Sequence, residues 1–317
     1  MPTEAGAVLA AARRGPERPG VTPGRLLLRR FRRHRLALAS AFLLAALALA
    51  SLSAPLCAAW LGLDPNAVDL LDRFGPPSAA HPLGTDELGR DLLLRLLYGG
   101  RISLFVGLVG ALAAAGLGTL VGLLAGYIGG RTDALLMRLT DAVIALPLLP
   151  LLIVLAAVDL TKLGLPSALV QSDAASLYRI LAIVALTGWT TVARLVRGTT
   201  LSVRAQDFIR AAVAQGAGPI RIMARHVLPN VISPVIVATT LSVGNVILTE
   251  SVLSFLGLGI QPPLPSWGNM LTNAQELIWE APTLAVYPGL LIFATVIAFN
   301  FLGDGLQDAI DPRAGEP

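Results

Sequence analysis

The chain is poor in charge, cysteine, lysine and histidine, and each shortage excludes something. Only 14% of its 317 residues are charged and 55% are hydrophobic, whereas a soluble domain carries about 25% charge. Its length alone would allow two soluble domains, but the composition overrides that reading. The single cysteine, Cys57, excludes an internal disulfide and any cysteine-based metal cluster. The single lysine, Lys162, follows Thr161, so no Walker loop ending in Gly-Lys-Ser/Thr exists to cradle ATP phosphates. The three histidines, His34, His81 and His226, lie far apart and outside the apolar runs, with no His-x-x-x-His pair. No Gly-x-Ser-x-Gly elbow is present either. A non-enzymatic protein is expected, with no catalytic, cofactor-binding or metal-ligating residues.

What is present is long uncharged sequence. Charged residues are missing from Leu36–Leu63, Ile102–Gly130, Ala142–Val158, Val227–Thr249 and Ala281–Gly303. A helix needs about 20 apolar residues to cross the hydrocarbon core, and four of the five runs exceed this. A sixth candidate, Ile180–Ala193, is short, and becomes adequate if Arg194 and Arg197 snorkel to an interface. Six spans place both termini on one side. Arg13, Arg14, Arg18, Arg25, Arg29, Arg30, Arg32, Arg33 and Arg35 precede the first span; Arg131 and Arg138 follow the second. Arg194, Arg197, Arg204, Arg210, Arg221 and Arg225 follow the fourth, and Arg313 follows the last. The positive-inside rule makes that face cytoplasmic. The arginines follow loop alternation, so topology explains the basic balance and no nucleic-acid partner is expected. The 35-residue basic lead is too long for a cleaved signal peptide, so the first span is expected to remain as an anchor.

The expected organisation is all-α and polytopic, with six transmembrane helices. Residues 1–35 form a cytoplasmic basic tail, and 36–101 the first span with an external segment. Residues 102–306 form a five-helix core with a cytoplasmic loop at about 198–230, and 307–317 a cytoplasmic tail. In the external segment Thr85 is a candidate N-cap with Asp86 and Glu87 in the first turn, and Leu88, Leu92 and Leu96 recur at helical spacing. Gly99-Gly100 would end this amphipathic helix. In the second span, Gly118, Gly122 and Gly126 form a small-residue row that predicts close helix packing. Pro147 and Pro150, after Asp141, should kink or open the third span. In the fifth span Asn245 and Thr249 share a helix face with Glu250 at its flank; these three are the candidate translocation-path residues. Glu250 is either a structural carboxylate buried against a neighbouring helix or part of that path. The three prolines of IQPPLPSWGNMLTNAQ argue for a fixed turn, and Trp267 suits a membrane interface.

The stretch RAAVAQGAGPIRIMARHVLPN, Arg210 to Asn230, carries a surplus of specified structure for a mere loop. A first helix should run from Asp207 through Gln215 and end at Gly216 in a left-handed cap. Gly218-Pro219 should start a second helix, with Pro219 at its first position. Ile220, Met223 and Val227 would give it an apolar face, and Leu228-Pro229 would stop it before the fifth span. Ala211 and Ala212 would let a partner approach the first helix closely.

This stretch is similar to the EAA loop of ATP-binding-cassette importer permeases, which reads Glu-Ala-Ala, three residues, Gly, nine residues, Ile-x-Leu-Pro. Ala211, Ala212, Gly216, Leu228 and Pro229 match, whereas Arg210 replaces the Glu and His226 the Ile. HPLGTDELGRDLLLRLLYGGRISL, SFLGLGIQPPLPSWGNML and GDGLQDAIDPR resemble the dipeptide, oligopeptide and nickel permease branch, C-subunit type. The resemblance covers about residues 29–313. It implies a type I importer permease of the MetI-like fold in a bacterial cytoplasmic membrane, translocating peptides or a related solute such as nickel complexes. It also implies a second homologous permease subunit in a heterodimer, two cytoplasmic ATPase subunits, an extracytoplasmic substrate-binding protein and surrounding lipid. In the family the EAA loop is the contact with the ATPase, which carries that role onto Arg210, Ala211, Ala212, Gly216, Gly218, Pro219, Leu228 and Pro229. The rival readings are an ion- or proton-coupled carrier with Glu250 as coupling group, and a membrane scaffold that moves nothing.

Overall fold

The structure is a computed structural model describing residues 29–310 apart from 159, 164, 165, 167–171 and 173. The arginines before position 29 and Arg313 therefore lie outside the described residues. Every regular element among the described residues is helical. The α-helices in order are α1 (Arg35–Leu52), α2 (Ala54–Leu61), α3 (Leu92–Ile128), α4 (Gly130–Ala145), α5 (Leu148–Ala157) and α6 (Ala175–Arg204). There follow α7 (Asp207–Ala214), α8 (Pro219–Ile222), α9 (Leu228–Phe255), α10 (Ala274–Leu277) and α11 (Thr283–Ile310). Five helices are long and apolar enough to cross a membrane, or six if the bent pair α4–α5 counts as one span.

The glycine row of α3 sets the closest helix contact. An added Cβ would come within 2.5 Å of the Trp189 carbonyl at Gly118 and 2.6 Å of the Ala193 carbonyl at Gly122. At Gly126 it would lie 2.7 Å from Thr200 Cβ. The row thus seats α6 backbone directly on α3, inside one chain. α9 packs on both helices, α11 on α9, and α1 on α11 and α3. The core contains Val106, Ile180, Val184, Val243 and Ile247, all within it at 5% exposure or less.

Three expectations are corrected. The helix expected from Thr85 begins at Leu92. Thr85 Oγ1 instead accepts the Gly75 N–H at 2.7 Å and donates to the Asp72 carbonyl. Asp86 accepts from the Leu88 and Arg90 N–H groups in a tight turn. With those side chains spent on the turn, Asp91 caps α3, accepting the Leu94 N–H at 2.7 Å. Nor do Gly99 and Gly100 end a helix; they lie buried within α3, where an added Cβ on Gly99 would stand 3.3 Å from Trp267 N. Trp267 is 1% exposed, with its indole N–H donating to the Leu96 carbonyl at 2.9 Å. It is a core anchor and not an interfacial residue.

The third span breaks by 91° between α4 and α5, where Pro147 can donate no hydrogen bond and biases Leu146 to extended backbone. The fourth span is far longer than its uncharged run: α6 has 30 residues. Arg194 and Arg197 belong to it because both find acids on α4. Arg194 Nη2 lies 2.6 Å from Asp141 Oδ1, and Arg197 grips both Asp133 oxygens at 2.5 and 2.7 Å.

Candidate functional site: a two-helix connector and an uncharged cavity

Between α6 and α9 the chain forms the expected pair of short helices. α7 has Asp207 in its first turn and ends before Gly216, whose φ of 81° is a left-handed conformation costly to a side chain. The Ala217 N–H returns to the Ala212 carbonyl at 3.0 Å, closing the helix end. Gly218 precedes Pro219 at the first position of α8. Ile209, Ala212, Ile222, Val227 and Val231 are buried together against Val192 and Val196 of α6. Of the alanine pair, therefore, Ala212 seats the connector on the bundle and Ala211 faces out. Arg210 is exposed, 3.2 Å from the equally exposed Asp207.

The second helix departs from expectation in two ways. Its buried apolar residues are Ile222 and Val227, whereas Ile220 is 77% exposed. Leu228-Pro229 does not stop it. Residues Met223–Val227 form a π turn that leads straight into α9, so the helical path is continuous from Pro219 to Phe255. The wider turn lets the Leu228 N–H reach back to the Met223 carbonyl. Asn230 Nδ2 donates to the His226 carbonyl at 2.6 Å, satisfying one group that proline-bent backbone leaves free. Phe208, Val213 and Ile220 remain exposed. A cleft of about 750 Å³ lies between the connector and the end of α3, lined by Tyr127, Arg204, Arg210, Pro219, Ile220 and others.

Halfway along the bundle, a cavity of about 500 Å³ opens where α4 breaks from α5. Its apolar wall includes Ile144, Leu146, Leu148 and Leu151; its polar wall is Thr187, Thr190 and Thr191 of α6 and Ser242, Asn245 and Thr249 of α9. Irregular backbone at membrane depth is tolerated where it lines such a space. The structure brings Asn245 and Thr249 together here and places Glu250 elsewhere. Glu250 is 0% exposed. Its Oε1 accepts from Ser254 at 2.7 Å and from Ser266 at 2.8 Å. Ser254 also accepts the Ile260 N–H, and Ser266 the Asn269 N–H, each at 3.0 Å. The carboxylate thus pins the loop after α9 to its own helix. The three threonines and Ser242 were missed in the sequence, although Thr187, Thr190 and Thr191 stand at helical spacing within an apolar run.

The chain is similar to known transport proteins over most of its length. Residues 118–316 match the family described as binding-protein-dependent transport system inner membrane component. Residues 22–77 match the N-terminal transmembrane domain of oligopeptide transport permease C. The chain is 38% identical over 293 residues to the dipeptide transport system permease protein of Alkalihalophilus pseudofirmus, covering 92% of this chain and 91% of the relative. It is 40% identical over 294 residues to the glutathione transport system permease protein of Pectobacterium atrosepticum, covering 92% of each. With the oligopeptide transport system permease protein of Bacillus subtilis the identity is 36% over 284 residues, 90% of this chain and 88% of the relative. The buried position of Glu250, away from the cavity, and these relationships leave the ion-coupled carrier without support. An all-helical integral membrane protein with a capped connector at one end and a cavity where its third span breaks, this chain belongs to the family of inner membrane components of binding-protein-dependent transport systems.

Proposed function

We propose that the chain is the C-type permease subunit of an ATP-driven importer of di- or oligopeptides, forming half of the transmembrane path with a second, homologous permease. Two ATPase subunits dock at the connector end, which is the cytoplasmic side of the inner membrane, and both termini lie on that side. A substrate-binding protein delivers peptide at the opposite end. The relatives named for dipeptide, oligopeptide and glutathione transport support a peptide cargo. The observation that carries the reading is the continuity of one helical path, Pro219 to Phe255, from the exposed connector to the cavity residues Asn245 and Thr249.

In this reading Arg210, Ala211, Gly216, Gly218, Pro219 and exposed Ile220 present the surface to the ATPase. Ala212 and Leu228 hold the connector to the bundle, and Pro229 adjoins the π turn. ATP-driven closure of the ATPase pair displaces the connector and turns the cavity from one side of the membrane to the other, as alternating access requires. The chain supplies no nucleotide chemistry of its own. The test is reconstitution of this chain with its partner permease, ATPases and binding protein in proteoliposomes. Peptide uptake should need ATP and every component; uptake by the purified chain alone, without ATP, would overturn the reading.

A further inference from the structure

Among the described residues, the cavity between α4, α5, α6 and α9 has no Asp, Glu, Lys, Arg or His in its lining. The opposed charges Asp141 and Arg194 lie one helical turn beyond the lining residues Ile144 and Thr190 and pair with each other at 2.6 Å. Most of its hydroxyls are already committed. Thr187 donates to the Ile183 carbonyl at 2.9 Å, Ser242 to Ala238 at 2.8 Å and Thr249 to Asn245 at 2.8 Å. Asn245 differs from them. It is exposed in the middle of an apolar helix, and its side chain has no partner among the described residues. A carboxamide at membrane depth faces a protein surface or a cavity and not lipid. It offers both a donor pair and an acceptor, the complement of one peptide unit.

We propose that Asn245 is a substrate-contacting residue that reads the peptide backbone, and that this chain's uncharged wall of the path does not sort peptides by the sign of their side-chain charge. The proposal rests on the peptide-import reading. A neutral wall treats the two signs of charge alike, at the same desolvation cost, whereas one fixed charge in a low-dielectric cavity would sort cargo strongly. Across about 5 Å at an effective dielectric of about 20, one unit charge changes relative passage by more than tenfold.

The test installs charge after assembly. Asn245→Cys is placed in a Cys57→Ser background, which removes the only native thiol of this chain. The complete transporter is reconstituted and residue 245 is modified with a methanethiosulfonate bearing either a sulfonate or a trimethylammonium group. ATP-driven uptake of Ala-Lys-Ala and Ala-Glu-Ala is measured, each at saturation of the binding protein, with Asn245 transporter treated identically as control. Unmodified transporter should move the two peptides at rates within about threefold. The sulfonate should raise the Lys-to-Glu ratio at least about tenfold, and the trimethylammonium should lower it as much. Asn245→Asp and Asn245→Lys should reproduce the two shifts without chemistry. An unchanged ratio after complete modification, equal loss of both peptides, or failure of either reagent to reach residue 245 would overturn the proposal. If the control complex with Asn245 intact imports neither peptide while its ATPase is active, the peptide-import reading itself falls, and this proposal with it.

Discussion

At the residue scale, Glu250 shows how a carboxylate in a span can be structural. Its Oε1 holds two serine hydroxyls, which in turn hold backbone N–H groups of the 260–269 loop. Removing the acceptor strands buried hydroxyls, at a cost of about 1–3 kcal/mol. Glu250→Ala should therefore loosen that loop, seen as faster amide hydrogen exchange at Ile260 and Asn269. Glu250→Gln keeps a carbonyl oxygen in place and should leave exchange and ATP-driven uptake near normal. Loss of uptake in Glu250→Gln with the loop still protected would point to a role for the ionised group. The acid itself was legible as unusual in the sequence. Its orientation was not, because one helical step of 100° separates Thr249, at the cavity, from Glu250, in the core. A one-residue uncertainty in helix phase exceeds what periodicity resolves when apolar residues surround the helix on all sides.

At the element scale, the connector was legible because its signals are local: Gly216 and Pro219 dictate backbone geometry by their own chemistry. Gly216→Val should uncouple uptake from ATP hydrolysis at normal membrane levels, since its φ of 81° strains a β-branched residue. Gly218→Ala should leave the connector's backbone unstrained and be far milder, because Gly218 has an ordinary φ of −72° and an added methyl meets nothing of this chain within 4 Å. Equal behaviour of the two variants in coupled transport assays would contradict this account. The ends of α3 and α6 were misjudged because they are set by partners distant in sequence. Asp91 replaced Thr85 as cap once the preceding turn consumed its side chains, and Arg197 extended α6 by reaching Asp133. Reversing that pair makes a clear check: Asp133→Arg or Arg197→Asp alone should lower the yield of folded protein severalfold, because each single change places like charges in contact. The double reversal should restore much of it, measured by size-exclusion chromatography in detergent. Single and double variants equally poor in yield would show that the pair does not hold α4 to α6.

At the scale of the whole molecule, the polytopic, all-helical architecture follows from where charge is missing, because a bilayer penalises every unpaired polar group. The cavity was far less legible. It exists because α4 leaves α5 at 91°, and a pair of prolines states that a helix bends without stating how far or towards what. Its polar wall joins residues from positions 187 and 249, a separation no local pattern spans.

The π turn at Met223–Val227 has a mechanical consequence. A helix of 37 residues from Pro219 to Phe255 is about 55 Å long at 1.5 Å per residue. Its joint is that turn near its base, with a second weak point at Pro234, whose missing N–H leaves a hydrogen bond unmade inside the helix. Asn245 lies about 27 Å beyond that joint, so a tilt of about 10° there sweeps Asn245 through roughly 5 Å. A push of about 1 Å on the short arm, α8, about 6 Å long, is thereby amplified into a displacement comparable to the width of a peptide at the cavity. Stiffening the joint would shorten the stroke and leave both ends of the helix chemically unchanged.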